Sequence, residues 1–321
     1  MKIGEREYSF RSSSVILSSA AKARIKPNPL WQIILFPLIY IGSMMLATIL
    51  AGVCIGLFGG GVDAVLEVFS EENSMLGSLF MTLFPILGAI LYIKVLEGRS
   101  MASMGFIKSG WWRHYLKGFG MGLAMCSVAL LLALILGGVG VSEAARPDMT
   151  LWLLTLLGFV VQGMSEEVML RGYLMVSLAG RMPVWLSVAI TALLFALLHG
   201  GNTGLTPLSL VNLVLFGIFA ALFMLRYDNI WGIGALHSAW NFCQGNIFGV
   251  AVSGSGMGDT LLNFSVLEGA PRWISGGEFG LEGSIVTTIV FGTMAVLLLK
   301  NMIIKQSEVS PRNAETLETK L

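Results

Sequence analysis

Apolar residues run through this chain in blocks of about 20, the length at which a helix crosses a hydrocarbon core, and charges and glycines collect between the blocks. The blocks predict spanning helices near 30–58, 75–96, 115–141, 149–178, 184–200, 208–226, 230–250 and 283–303, eight in all and an all-α, polytopic fold. The stretch 97–114, with the pair Trp111 and Trp112, reads as a segment lying at headgroup level on the cytoplasmic side, where indole rings are favoured. Residues 251–282 carry Gly254, Gly256, Gly258, Gly269, Gly276, Gly277 and Gly280 and read as a flexible outer loop, with a lid over an outer cavity as one role open to it. Beyond Lys305 the chain turns polar and reads as a disordered tail. The expected organisation is an N-terminal segment 1–29, a membrane domain 30–304 and a tail 305–321.

Composition agrees with that pattern. Hydrophobic residues make up 55% of the 321 and charged residues only 12%, about half the charge of a soluble protein, which excludes a soluble reading. The apolar run that follows the basic first 29 residues is longer than the roughly 7–15 residues of a signal-peptide core, so the first helix is expected to be retained. Cys54, Cys126 and Cys243 all lie in apolar stretches and read as small hydrophobes, without a disulfide framework.

The near-zero net charge hides a sharp asymmetry. With the N-terminus in the cytoplasm, eighteen of the twenty lysines and arginines fall on inside segments, and only Arg146 and Arg272 fall outside. An even number of spans with both termini cytoplasmic satisfies the positive-inside rule. The expected location is the cell membrane, with the lipid bilayer and a peptide or protein substrate as partners and no nucleic acid.

Ionisable side chains inside a span cost about 2.5–3.5 kcal/mol each on insertion scales, so the few present are candidates for function. They concentrate in the fourth block, as Glu166, Glu167 and Arg171. Arg171 lies one helical turn beyond Glu167 and can pair with it, which leaves Glu166 pointing elsewhere and free to work. His199 and His237, two of three histidines in the chain, sit in the fifth and seventh blocks, and Asn241 follows His237 by one turn. Hairpins about Arg181, Met182 and Pro183 and about Tyr227, Asp228 and Asn229 bring Glu166, His199, His237 and Asn241 to similar depth at about 1.5 Å per residue. Such a set offers a carboxylate to take a proton from water, imidazoles to orient or shuttle it, and an amide to meet an oxyanion. No serine or cysteine is paired with a histidine at motif spacing in the spans.

Two adjacent glutamates with arginine four after the second, phenylalanine with histidine four later (Phe195, His199), and histidine with asparagine four later occur here in that order. The set resembles the intramembrane glutamyl endopeptidases of the CAAX protease and bacteriocin-processing (CPBP) family, which also contains bacteriocin-immunity proteins. The similarity runs from about residue 75 to 300 and includes Gly105 and Phe106 as well as Gly276, Gly277, Phe279, Gly280 and Glu282. The resemblance implies a peptide hydrolase in which Glu166 activates water with His199 as its partner, His237 and Asn241 stabilise the tetrahedral intermediate, and Glu167 and Arg171 hold the site together. It implies no cofactor and no metal.

Three other readings stay open on the sequence. A glutamate with two histidines is also a zinc ligand set, although the paired histidines of the usual zinc-protease helix are missing. A non-proteolytic immunity or scaffold protein could use the polar cluster for packing alone. A proton-coupled transporter could use it as a relay, against which stands the lack of an internal repeat.

Overall fold

The computed structural model describes residues 13–59, 61, 74–143, 146–256 and 258–318, with the backbone alone for Ser74 and 304–318. Lys2, Arg6, Arg11 and Lys320, counted above among the inside charges, lie outside the described residues, as do the side chains of Lys305 and Arg312.

Among the described residues nine helices carry the architecture, numbered here in chain order. A short α1 (Val15–Ala21) precedes α2 (Pro29–Phe58), and α3 (Met75–Glu97), α4 (Trp111–Ile135) and α5 (Met149–Ala179) follow. Then come α6 (Val184–Leu198), α7 (Pro207–Tyr227), α8 (Ile230–Phe242, prolonged by a π turn over Cys243–Ile247) and α9 (Ile285–Glu318). Six of these, α2, α3, α4, α5, α7 and α9, are long and apolar enough to cross a membrane. Of the eight expected spans, two do not meet that test. The first is α6, apolar but only 15 residues long. The second is α8, which is buried over nearly its whole length and has little need of an apolar outer surface.

Burial sorts the helices into layers. Within its most apolar window α2 has only 11% of its residues buried, whereas α7 has 61%, which places α2 at the periphery and α7 inside. Leu38, Met45, Ile49 and Leu57 of α2 are exposed, as suits residues that face lipid. The central helix is α8, packed on α4 and α5. Small residues allow that approach: a Cβ on Gly118 would stand 1.9 Å from the Gly232 carbonyl oxygen, and one on Gly122 2.3 Å from that of Leu236.

The chain differs from its expected organisation in three places. First, β1 (Val139–Ser142) pairs antiparallel with β2 (Asn263–Val266), and the segment 251–282 is folded, with a one-turn helix at Arg272–Ser275 and 3₁₀ turns before α9. Its glycines serve turns: Gly276 and Gly280 have φ of +81° and +85°, a region open to glycine without strain. Second, α9 continues to Glu318 through the tail expected to be disordered, since extending an existing helix costs much less than starting one. Third, Arg99, counted above among the inside charges, is 3% exposed, because it finds the Glu97 carboxylate and the Gly172 and Tyr173 carbonyls in the interior.

Candidate active site

α5 carries the first two charged residues of the site. Asp148 caps its start by accepting from the backbone N–H of Thr150 and Leu151, and the helix is α-helical to Glu167 and π-helical over Val168–Met175. The change of winding falls at the two glutamates, and π turns inside α-helices recur at functional positions. Glu167 and Arg171 lie fully buried and pair, Nη1 to Oε1 at 3.1 Å. The Arg171 guanidinium also lies over the rings of Phe195 and Phe216, at 5.0 and 5.8 Å from their centroids, so the apolar wall itself helps to hold the charge.

The same Glu167 Oε1 accepts from His237 Nδ1 at 3.0 Å. Nδ1 is thereby the protonated nitrogen toward Glu167, and Nε2 turns to Glu166, 3.7 Å from its Oε2. His237 reaches this depth because Asn229 fixes the start of α8, accepting from the N–H groups of Trp231 and Gly232. Glu166 is the less buried acid: its Oε1 accepts from Gln162 Nε2 at 2.6 Å, and its Oε2 has no hydrogen-bond partner among the described residues. Asn241 donates to Gln162 Oε1 at 3.0 Å, so α5 and α8 are linked through one amide pair.

His199 stands at the end of α6 and donates from Nδ1 to the Phe195 carbonyl at 2.8 Å, which leaves Nε2 as the acceptor nitrogen. Glu166, His199, His237 and Asn241 all line one cavity of about 200 Å³. Glu167 and Arg171 lie behind its wall. A second cavity of about 210 Å³, walled by Phe36, Tyr40, Met169, Leu170 and Leu198, meets the first at Glu166, Phe195, His199 and Asn202. Among the described residues no group of three or more histidine, cysteine, aspartate or glutamate side chains is arranged to hold a metal ion.

Two features of the cavity escape sequence reasoning. Gln162 is a polar residue one turn before Glu166 in an apolar span, a signal that was available. Glu282 lines the same cavity from the segment before α9 and is buried; its Oε2 accepts from Ser253 N–H at 2.6 Å and Ser253 Oγ at 2.8 Å. Burial pushes the Glu282 carboxyl above its ordinary range, against the pull of Ser253 and of the two histidines. Asn202 donates to the Ser253 carbonyl at 2.8 Å, so the segment expected to be a loose loop is tied into the cavity wall.

Residues 148–243 match the family model described as type II CAAX prenyl endopeptidase, Rce1-like. This segment, under a third of the chain, is similar to that family. It begins at the cap of α5 and ends just past α8, so all six motif residues lie within it; the match meets the resemblance read from the sequence at these motifs and is shorter than the 75–300 expected for it. The Rce1-like description implies an endopeptidase of the CAAX type working within the membrane. No curated protein matches the chain. The helices α2, α3 and α4, the pair Glu97 and Arg99, and Glu282 all lie outside the Rce1-like segment.

Proposed function

We propose that the chain is an intramembrane endopeptidase that hydrolyses a peptide bond of a membrane-associated substrate with water activated by Glu166. The observation that supports this best is the state of Glu166, which lines the cavity and whose buried Oε2, 3.7 Å from His237 Nε2, has no hydrogen-bond partner among the described residues. A carboxylate oxygen with no hydrogen bond to give up takes a proton from a water held in the adjoining cavity. His199, with Nε2 as acceptor, is its partner in orienting that water. His237 and Asn241 meet the oxyanion: Asn241 keeps one amide hydrogen beyond the one it gives to Gln162, and His237 donates from Nε2 when both ring nitrogens carry protons. Glu167 and Arg171 hold His237 from behind. The protein from which the substrate comes carries the bond to this depth in the bilayer, with an attached lipid or an apolar leader as its anchor.

Purified full-length protein in liposomes is expected to cleave a fluorogenic membrane peptide at an undiminished rate in excess chelator. Loss of the rate in chelator, with one zinc recovered per chain, would move the reading to a metalloprotease.

The division of basic residues supports a cell-membrane orientation with both termini in the cytoplasm. Reporter fusions after residues 110, 182 and 305 are expected to score cytoplasmic, and fusions after 70, 146, 204 and 265 outside. A cytoplasmic score at 265 overturns this arrangement.

A further inference from the structure

A second buried ionic cluster lies away from the cavities, among Glu97, Arg99, Gln32, Ser103, Tyr173 and Ser177. The Arg99 guanidinium is held by Glu97 through Nε. Its Nη2 donates to the Tyr173 carbonyl at 3.2 Å and to Ser177 Oγ at 2.9 Å, and its Nη1 reaches the Gly172 carbonyl at 3.5 Å. Glu97 in turn accepts from Gln32 Nε2 at 2.9 Å and from Ser177 Oγ at 2.8 Å, and the Tyr173 hydroxyl donates to Gln32 Oε1 at 2.8 Å. All six side chains are buried. Taking such a pair out of water is costly unless its partners offset it.

The position of the contacts is the informative part. Gly172 and Tyr173 belong to the π-helical turns Val168–Met175 that begin directly after Glu167. A π stretch longer than a single turn is rare, because the α-helix is the better-bonded state of the same residues. Arg99 holds the backbone of this one from outside, on two of its carbonyls. Segment 101–104 packs on it as well, since a Cβ on Gly172 would stand 3.2 Å from the Met104 carbonyl oxygen. If the π turns relaxed to α, the residues beyond Glu167 would rotate relative to it by about 100° for each residue taken up. Arg171 stays within reach of Glu167 in either winding, but its guanidinium would be carried off the Gly217 carbonyl and the rings of Phe195 and Phe216, and its pull on Glu167, which holds His237, would change direction.

We infer that Arg99, fixed by Glu97, is a positioning residue that sets the π register of α5 and, through Glu167, the orientation of His237 toward Glu166. Only the kinetic arm of the test depends on the proteolytic reading. In the full-length protein in nanodiscs, Arg99→Met is expected to lower kcat on a fluorogenic membrane peptide by about 10- to 100-fold with KM within about twofold. Arg99→Lys recovers part of kcat. Hydrogen exchange of amides 168–178 is expected to quicken by about tenfold or more in Arg99→Met, with α7 unchanged. Ser177→Ala, which removes one member of the cluster, gives smaller changes of the same kind and serves if Arg99→Met does not fold. An unchanged kcat in folded Arg99→Met, or in Ser177→Ala with Arg99→Met unfolded, overturns the inference, as does quickened exchange spread evenly over all helices. If the wild type cleaves no peptide, the proteolytic reading fails and the exchange result decides the register alone.

Discussion

Glu166→Gln is expected to yield a folded, membrane-inserted protein whose rate of peptide cleavage falls by about 10²–10⁴, the usual loss when a positioned general base is removed. The substitution keeps the length of the side chain and can keep the contact with Gln162, by turning its amide so that one oxygen still accepts from Nε2. It removes a charge that is costly in the bilayer, so stability is expected to hold or rise. Proton acceptance is lost, because an amide cannot take the proton from water. The measurement is cleavage of one fluorogenic membrane peptide by both proteins at equal folded concentration, judged by thermal unfolding in detergent. A Glu166→Gln protein that cleaves at the wild-type rate would end the glutamate-activated reading. A cellular phenotype that persists when cleavage is gone would assign the biological role to immunity or scaffolding.

Removing either member of the Glu167–Arg171 pair is expected to act on folding before it acts on chemistry. Both side chains are fully buried, so the charge left behind has no water to turn to, and breaking such a pair costs about 3–5 kcal/mol. Arg171→Met leaves Glu167 with His237 as its remaining partner, and Glu167→Gln leaves a guanidinium whose other contacts are the Gly217 carbonyl and two phenylalanine rings. Both variants are expected to give low yields of folded protein and a lowered unfolding temperature. The double variant Glu167→Gln/Arg171→Met is expected to lose less than the two singles added together, because no charge is stranded. Single variants as stable as the wild type would show that the pair is not what holds this part of the fold.

Much of this arrangement is legible in the chain. The hairpins about Pro183 and Asp228 place His199 and His237 at the depth of Glu166 because helical rise is constant, and the four-residue spacings predict which side chains share a face. Glu167–Arg171 pairing follows from the same periodicity. What could not be read has a common cause, namely contacts between residues far apart in sequence. Glu282 meets the cavity only because 251–282 folds back over it, and β1 reaches β2 across more than a hundred residues. The π winding after Glu167 leaves no mark in the hydrophobic pattern, since every residue there is buried whichever way the helix is wound. Arg99 falls among the cytoplasmic charges by its place between two apolar blocks. Its burial depends on carbonyls presented by another helix.

The 15-residue α6 rises only about 22 Å at ~1.5 Å per residue, against a hydrocarbon core of about 30 Å. Its end, where His199 stands, therefore stops short of the far surface, and the backbone that continues from it lines the cavity at Asn202. This is the setting in which non-helical backbone is tolerated at membrane depth. The distance from the cavity to the nearer aqueous surface is then fixed less by the protein than by the lipids around it. Hydrophobic mismatch becomes a control on hydration of the site: short-chain lipids bring bulk water closer to Glu166, and thick, sterol-like bilayers bury the same carboxylate more deeply.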